Sequence, residues 1–193
     1  MDKYRDFESF GFDFAEKAID FCKLRKLNNI LKASVSEIPF KNDSFNIILS
    51  LDVLYHLGVK DDIQALSELW RVLKKDGIII INLPAYNFLK GSNHNKAVHV
   101  RHRYTRSELT QKLEEIGFKI EKITYRNTIL FPLALVKRLV EKILPSKREI
   151  KSDLNTLPVF VNILLTQILF FENRLLSILN LPFGLSIFCI ARK

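Results

Sequence analysis

The sequence predicts an α/β fold built on a doubly wound, mostly parallel sheet, with a helical insertion before the last strand. Three features predict it. Apolar runs alternate with helical periodicities along most of the chain, and the connections between them are short. Two of the runs, Phe45–Leu51 (FNIILSL) and Gly77–Pro84 (GIIIINLP), are nearly continuous in apolar residues. Such runs read as strands buried on both faces, as in a parallel sheet.

Taken in order, Met1–Arg5 is short and charged, and the polar stretch Met1–Asp13 does not read as a signal peptide. Phe7–Phe14 reads as a strand ending at Asp13. Ala15, Ala18, Ile19 and Cys22 then recur at helical spacing, and the segment closes in the basic run Lys23–Lys26. Asn28–Ser34 gives a second strand. The turn Lys41-Asn42-Asp43-Ser44 leads into Phe45–Leu51, and Asp52 and His56 follow at its carboxyl end. In open α/β sheets ligands sit just past such ends. Asp61–Lys74 is an amphipathic helix with Ile63, Leu66, Leu69, Trp70 and Leu73 as its stripe, and Gly77 is the expected stop.

After the Gly77–Pro84 strand, the polar loop Ala85–Tyr104 carries three of the four histidines. Thr105-Arg106-Ser107-Glu108 is a capping box that opens a helix through Leu109, Leu113 and Ile116, with Gly117 as terminator. Phe118–Tyr125 and Gly184–Ala191 read as the last two strands. The α/β domain therefore takes residues 1–126 and 183–193, and 127–182 form the insertion.

The insertion holds two helical segments, Phe131–Leu144 and Val159–Leu179, separated by Pro145–Asp153. Asn162, Gln167, Glu172 and Arg174 interrupt the second, whose charge-free run falls short of the ~20 residues that span a bilayer. Asn162, Thr166, Asn173, Arg174, Ser177 and Asn180 line a polar side opposite Val161, Leu164, Leu165, Ile168, Leu169, Leu175, Leu176 and Leu179. Lys137, Arg138, Lys142, Lys147, Arg148 and Lys151 form a basic flank upstream. A lid, a dimer face and an interfacial membrane helix over 131–180 all stay open, behind the plainer reading of a helix packed across the sheet.

The net charge of +9 favours an anionic partner. The basic residues are interspersed with 21 acidic ones, however, and simple solubility accounts for the charge as well. No nucleic acid is expected. Cys22 and Cys189, the two cysteines, lie far apart in apolar patterns, as buried free thiols of a reducing cytoplasm do, and no metal-ligand spacing occurs.

The segments GFDFAEKAIDFCKLRKL, ASVSEIPFKNDSFNIILSLDVLYHL and ALSELWRVLKKDGIIIINLPAY, in this order and spacing, resemble a class I S-adenosylmethionine-dependent methyltransferase. The resemblance covers Phe7–Tyr125 and the terminal strand, and implies a Rossmann-like sheet with S-adenosylmethionine as cofactor. It puts Asp13, with Phe14 beside it, against the ribose hydroxyls; capping the following helix is the alternative for Asp13. It puts Ser34 and Val35 near adenine, and Leu51 and Asp52 along the cofactor. His56 is then a structural hydrogen bonder or a base.

The loop Pro84–Tyr104 is similar to a subgroup whose loop ends in Arg-Tyr-Thr, here Arg103-Tyr104-Thr105, with Asn95 where an acid is common. This implies substrate contacts from Tyr86, Arg101 and Arg103, the arginines suiting a phosphate or carboxylate. It also offers His94 or His99 as a general base, since imidazole removes protons near neutral pH. The family's glycine-rich turn has no counterpart among the six scattered glycines. Met1–Arg5 aligns with the end of the helix that should follow that turn. The expectation is thus a truncated domain, lacking its first strand and binding S-adenosylmethionine weakly. Two functions stay open: methyl transfer to an O, N or C nucleophile on a small or lipid-linked molecule, and a non-catalytic scaffold or membrane-surface module.

Overall fold

The computed structural model describes residues 8–90, 99–143 and 158–193. Strands β1 (Gly11–Asp13) and β2 (Ile30–Lys32) pair in parallel, with Asp13 opposite Lys32, and α1 (Glu16–Leu24) connects them. Both strands are shorter than the sequence pattern predicts, because among the described residues each has a ladder partner on one side only.

A second sheet has the order β3-β4-β6-β5. Here β3 (Phe45–Leu51) pairs in parallel with β4 (Leu73–Pro84), while β6 (Ser186–Arg192) lies antiparallel between β4 and β5 (Lys119–Arg126). Three of the four strands therefore run one way and β6 alone runs back. Among the described residues β1 and β3 share no ladder. Phe10 joins the two sheets instead, with its ring 5.4 Å from that of Phe40 and 6.1 Å from that of Phe45.

The core lies where β4, β5 and β6 meet α2 (Asp62–Val72) and α3 (Arg106–Ile116). Ile79, Ile81, Leu83, Ile187, Cys189 and Ala191 form one fully buried sheet face, against Leu66, Leu69, Leu109 and Leu113 from the helices. Burial pushes the Cys189 thiol up to about 12, so it stays a neutral apolar filler. The expectation that β3 is covered on both faces is corrected: Ile47, Leu49 and Leu51 are exposed, since no helix lies over that face among the described residues.

The passage from α2 into β4 also differs from the pattern. The helix ends at Val72, and Leu73 already pairs with Phe45, so the apolar periodicity runs past the true helix end. Asp76 takes the left-handed backbone (φ 61°). Gly77 serves close approach, since a Cβ there would lie 2.8 Å from the Lys74 carbonyl oxygen. The next helix follows its capping signals: Thr105 accepts from the Glu108 N–H at 3.2 Å, and Gly117 closes α3 at φ 112° beside Trp70.

The insertion supplies α4 (Phe131–Ile143) and α5 (Val159–Leu176). The last turns of α5 are tied to β5 by Glu172, which accepts from the N–H groups of Asn127 and Ile129. The expected separation of polar and apolar sides on α5 is corrected. Val161, Leu165, Ile168 and Leu169 are half-buried, but the outward side carries Phe160, Ile163, Leu164 and Phe171 among its polar residues.

Candidate functional site

At the end of β3 the chain leaves the sheet through Asp52, whose backbone is left-handed (φ 57°). The Asp52 N–H still donates to the Asn82 carbonyl at 2.9 Å, and the Asn82 side-chain amide donates to Asp52 Oδ1 at 3.2 Å. Although the residue has an exposed edge, crowding by the surrounding chain pushes its carboxyl above the usual carboxylate range. The Asn82 amide and the more distant Arg126 charge act the other way. Burial, and then the Asp52 charge, raise the Tyr55 phenol, while the Arg103 charge lowers it. Asp52, Tyr55 and Arg103 thus share one electrostatic neighbourhood.

Both described ends of the loop after β4 return to this end of the sheet. Tyr104 donates its N–H to the Pro84 carbonyl, and Tyr86 donates to that of Tyr104. The Arg101 N–H donates to the Tyr55 carbonyl at 2.8 Å, and the Leu57 N–H to that of His99 at 2.9 Å. The second contact brings the rings of His56 and His99 to 5.7 Å. His56 Nδ1 accepts from the Gly58 N–H, so one of its ring nitrogens is already engaged. His94 lies outside the described residues.

The side chains expected on the substrate side divide. Arg103 is buried and donates from Nη1 to the Ala85 carbonyl at 3.3 Å; burial, then the nearby Arg138 charge, lower its guanidinium. With Pro84, Leu89, Leu185, Ser186, Ala134 and Arg138 it lines a cavity of about 250 Å³. Tyr86 (φ 58°) stacks on Phe88 at 5.1 Å and on Tyr125 at 5.2 Å. Arg101 instead turns its Nη2 to Asp62, 3.4 Å away, and to the Tyr104 hydroxyl at 3.5 Å. Tyr104 in turn donates to Asp62 Oδ2 at 2.8 Å, and Lys112 to Asp62 Oδ1 at 3.2 Å.

Asp13 and Ser34 stand at the carboxyl ends of β1 and β2, joined by a hydrogen bond from the Ala33 N–H to the Asp13 carbonyl. Asp13 Oδ1 accepts from the Ala15 N–H at 2.7 Å, so the carboxylate helps to start α1, whose N-cap Ala15 has no side-chain acceptor of its own. Ser34 Oγ accepts from the Ser36 N–H at 3.2 Å. Phe14 and Leu51 are exposed, whereas Val35 belongs to the buried core.

Sequence reasoning gave no role to Tyr55, Asn82 or the pair of His102 with Glu108 (2.8 Å). Asn82 did carry a signal, as the one polar residue inside GIIIINLP. The pair His102–Glu108 had none, since it forms only when the loop folds back onto α3.

The profile of the family described as "Methyltransferase domain" matches residues 2–81. A protein of Mycolicibacterium smegmatis named as a probable S-adenosylmethionine-dependent methyltransferase is 26% identical over 113 residues, which are 58% of this chain and 43% of that protein. A Methanocaldococcus jannaschii protein named as uncharacterized is 29% identical over 77 residues, 40% of this chain and 32% of its own length. The chain thus spans less than half the length of these curated relatives. Among solved structures, an Archaeoglobus fulgidus protein described as a SAM-dependent methyltransferase aligns at TM-score 0.60 with 22% identity, over 100% of this chain and 79% of that one. A Thermotoga maritima protein described as a possible histamine N-methyltransferase aligns at 0.58 with 18% identity, over 95% and 72%.

Proposed function

We propose that this chain, which is similar in sequence over residues 2–81 to the methyltransferase domain family and in fold to S-adenosylmethionine-dependent methyltransferases, transfers a methyl group to a nucleophilic oxygen, nitrogen or carbon of a small or lipid-linked molecule. The observation that carries the reading is that Asp13, Ser34 and Asp52 each stand at the carboxyl end of a strand, β1, β2 and β3 in turn, the end at which an α/β sheet binds its ligand.

The groups present fit the ribose and adenine of the cofactor. One Asp13 oxygen is used by Ala15, which leaves Oδ2 to accept from a ribose hydroxyl. The Ser34 hydroxyl accepts one bond and keeps its proton to donate to an adenine edge. The Asp52 carboxyl, crowded and held by one amide, is eased by a cation drawn beside it. When bound, S-adenosylmethionine supplies a methyl group already activated on its sulfonium, so the chain's own task is chiefly to align the acceptor.

For that task His56, on the segment after β3, and His99, on the returning loop, stand together to take a proton from the acceptor. Tyr86 and Arg103 line the substrate side, while Arg101 holds the loop by its bond to Asp62. The test is incubation of the chain with methyl-labelled cofactor and separate lipid and water-soluble cell extracts. Label in one extract, lost with Asp52→Ala, supports the reading. Saturable binding without transfer to either extract favours a methyltransferase-like interaction module.

A further inference from the structure

His102 takes no part in the proton transfer assigned to His56 and His99, yet it joins three segments on the acceptor side. Its ring is 27% exposed, stands edge-on to that of Tyr104 at 4.7 Å, and is engaged at both nitrogens. Nε2 lies 2.8 and 3.0 Å from the two Glu108 oxygens on α3. Nδ1 lies 3.3 Å from the side-chain nitrogen of Asn87, in the single turn Asn87–Leu89 that follows β4. The Asn87 side-chain oxygen accepts from the Arg103 N–H at 3.0 Å. One imidazole thus ties the outgoing stem of the loop to the returning one, and both to α3.

These partners decide where the ring carries hydrogen. The Glu108 carboxylate only accepts, so Nε2 donates. With its oxygen on the Arg103 N–H, the Asn87 amide turns its NH2 toward the ring, and Nδ1 must accept. The neutral tautomer with hydrogen on Nε2 satisfies every partner. A second proton, which imidazole ordinarily takes between about pH 8 and pH 5, would set an N–H on Nδ1 against the N–H groups of Asn87. Turning the Asn87 amide over would only move the conflict to the Arg103 N–H.

The charged groups around the ring are mixed. Glu108 pairs with it directly, and Asp62 lies beyond Tyr104, whose hydroxyl it accepts. On the cationic side stand Lys112, 3.9 Å from Glu108 Oε1, Lys90, which donates to the Arg101 carbonyl at 2.7 Å, and the flanking Arg101 and Arg103. An imidazolium would therefore keep Glu108 and lose Asn87. We propose that His102 is a positioning residue for methyl transfer: uncharged it holds the returning stem in place, and protonated it releases the Asn87 side of the clasp. This rests on the reading of the loop as the acceptor side. The returning stem carries His99 beside His56 and Arg101 on Asp62, and hangs from the Tyr55 carbonyl by the N–H groups of Arg101 and His102.

The test is amide hydrogen exchange of the full chain at about pH 7.5 and about pH 5.5, corrected for the intrinsic exchange rate. Protection of the Arg101, His102 and Arg103 amides should fall by about tenfold at the lower pH, as one hydrogen bond is lost. His102→Gln offers a donor and an acceptor that do not titrate, and should hold its protection between the two values while His56 and His99 still titrate. Asn87→Asp gives Nδ1–H an acceptor, so its protection should be kept or gained at the lower pH. Protection in the parent that does not change with pH, or a fall as large in Asn87→Asp or His102→Gln as in the parent, overturns the proposal. Neither cofactor nor acceptor enters this measurement. Calorimetric binding of S-adenosylmethionine to the same chain tests the methyltransferase reading separately, and its failure would leave the exchange result standing.

Discussion

Two aspartates at the head of the sheet have opposite titration behaviour, and each gives a test. The folded chain holds the Asp52 proton more tightly than the unfolded chain does, because crowding disfavours the carboxylate. Raising the pH therefore ionises the unfolded chain first. The contribution is complete below the ordinary aspartate value and is lost as pH rises through the raised one. Asp52→Asn should remove that loss, which is read from denaturant midpoints as a function of pH, and should weaken cofactor binding; unchanged profiles contradict the assignment. For Asp62, burial acts to raise the carboxyl, but the Tyr104 hydrogen bond, Lys112 and Arg101 together outweigh it and hold it below the usual range. Its contribution is present above the ordinary value and lost as pH falls through the lowered one. Tyr104→Phe removes the one hydroxyl proton that Asp62 Oδ2, at 2.8 Å, and the Leu54 carbonyl, at 3.2 Å, share. The expected cost is about 1–3 kcal/mol in urea unfolding, and a change near zero contradicts the network.

Among the elements, the junctions carry the sharpest expectations. A Cβ on Gly184 would stand 2.2 Å from the Arg126 carbonyl oxygen, where β5 and β6 close on each other. Gly184→Ala should cost about 2–4 kcal/mol. Gly117→Ala meets a left-handed backbone and the Trp70 ring at 3.2 Å, and should cost about 1–2 kcal/mol. Equal thermal shifts for the two variants contradict this ranking. The elements most legible in the sequence are those bounded by local chemistry. The turn before Phe45 and the Thr105 and Gly117 caps define β3 and α3 closely, because their partners lie within a few residues. The start of β4 was hidden, since Leu73 continues the α2 periodicity while its partner Phe45 is supplied by the sheet. The outward side of α5 was misread because periodicity ranks the faces of a helix without saying how much surface the fold supplies to cover them.

For the molecule as a whole, the order of segments identified the α/β architecture, and the structure adds how the strands divide. The pair β1-β2 and the four strands β3-β4-β6-β5 form separate sheets among the described residues, with the Phe10–Phe40–Phe45 rings between them. Ile47, Leu49 and Leu51 consequently face solvent on β3. Such a strand promotes self-association, and Leu49→Lys should reduce it in sedimentation velocity without lowering the unfolding temperature; unchanged association contradicts that source. The strand ends beside Asp13 and Asp52 were legible in the sequence, while the parts proposed for Asp13 and Ser34 came from the family resemblance. Of the groups acting on Asp52, Asn82 stood out as the one polar residue inside its strand, whereas Arg126 is brought near it only by the fold. The central claim is that the cofactor sits across the carboxyl ends of β1, β2 and β3. Hydrogen exchange with and without saturating S-adenosylmethionine tests it most directly. Slowed exchange concentrated in residues 13–15, 34–36 and 50–56 is the predicted result, and slowing confined to other segments, or none, would contradict it.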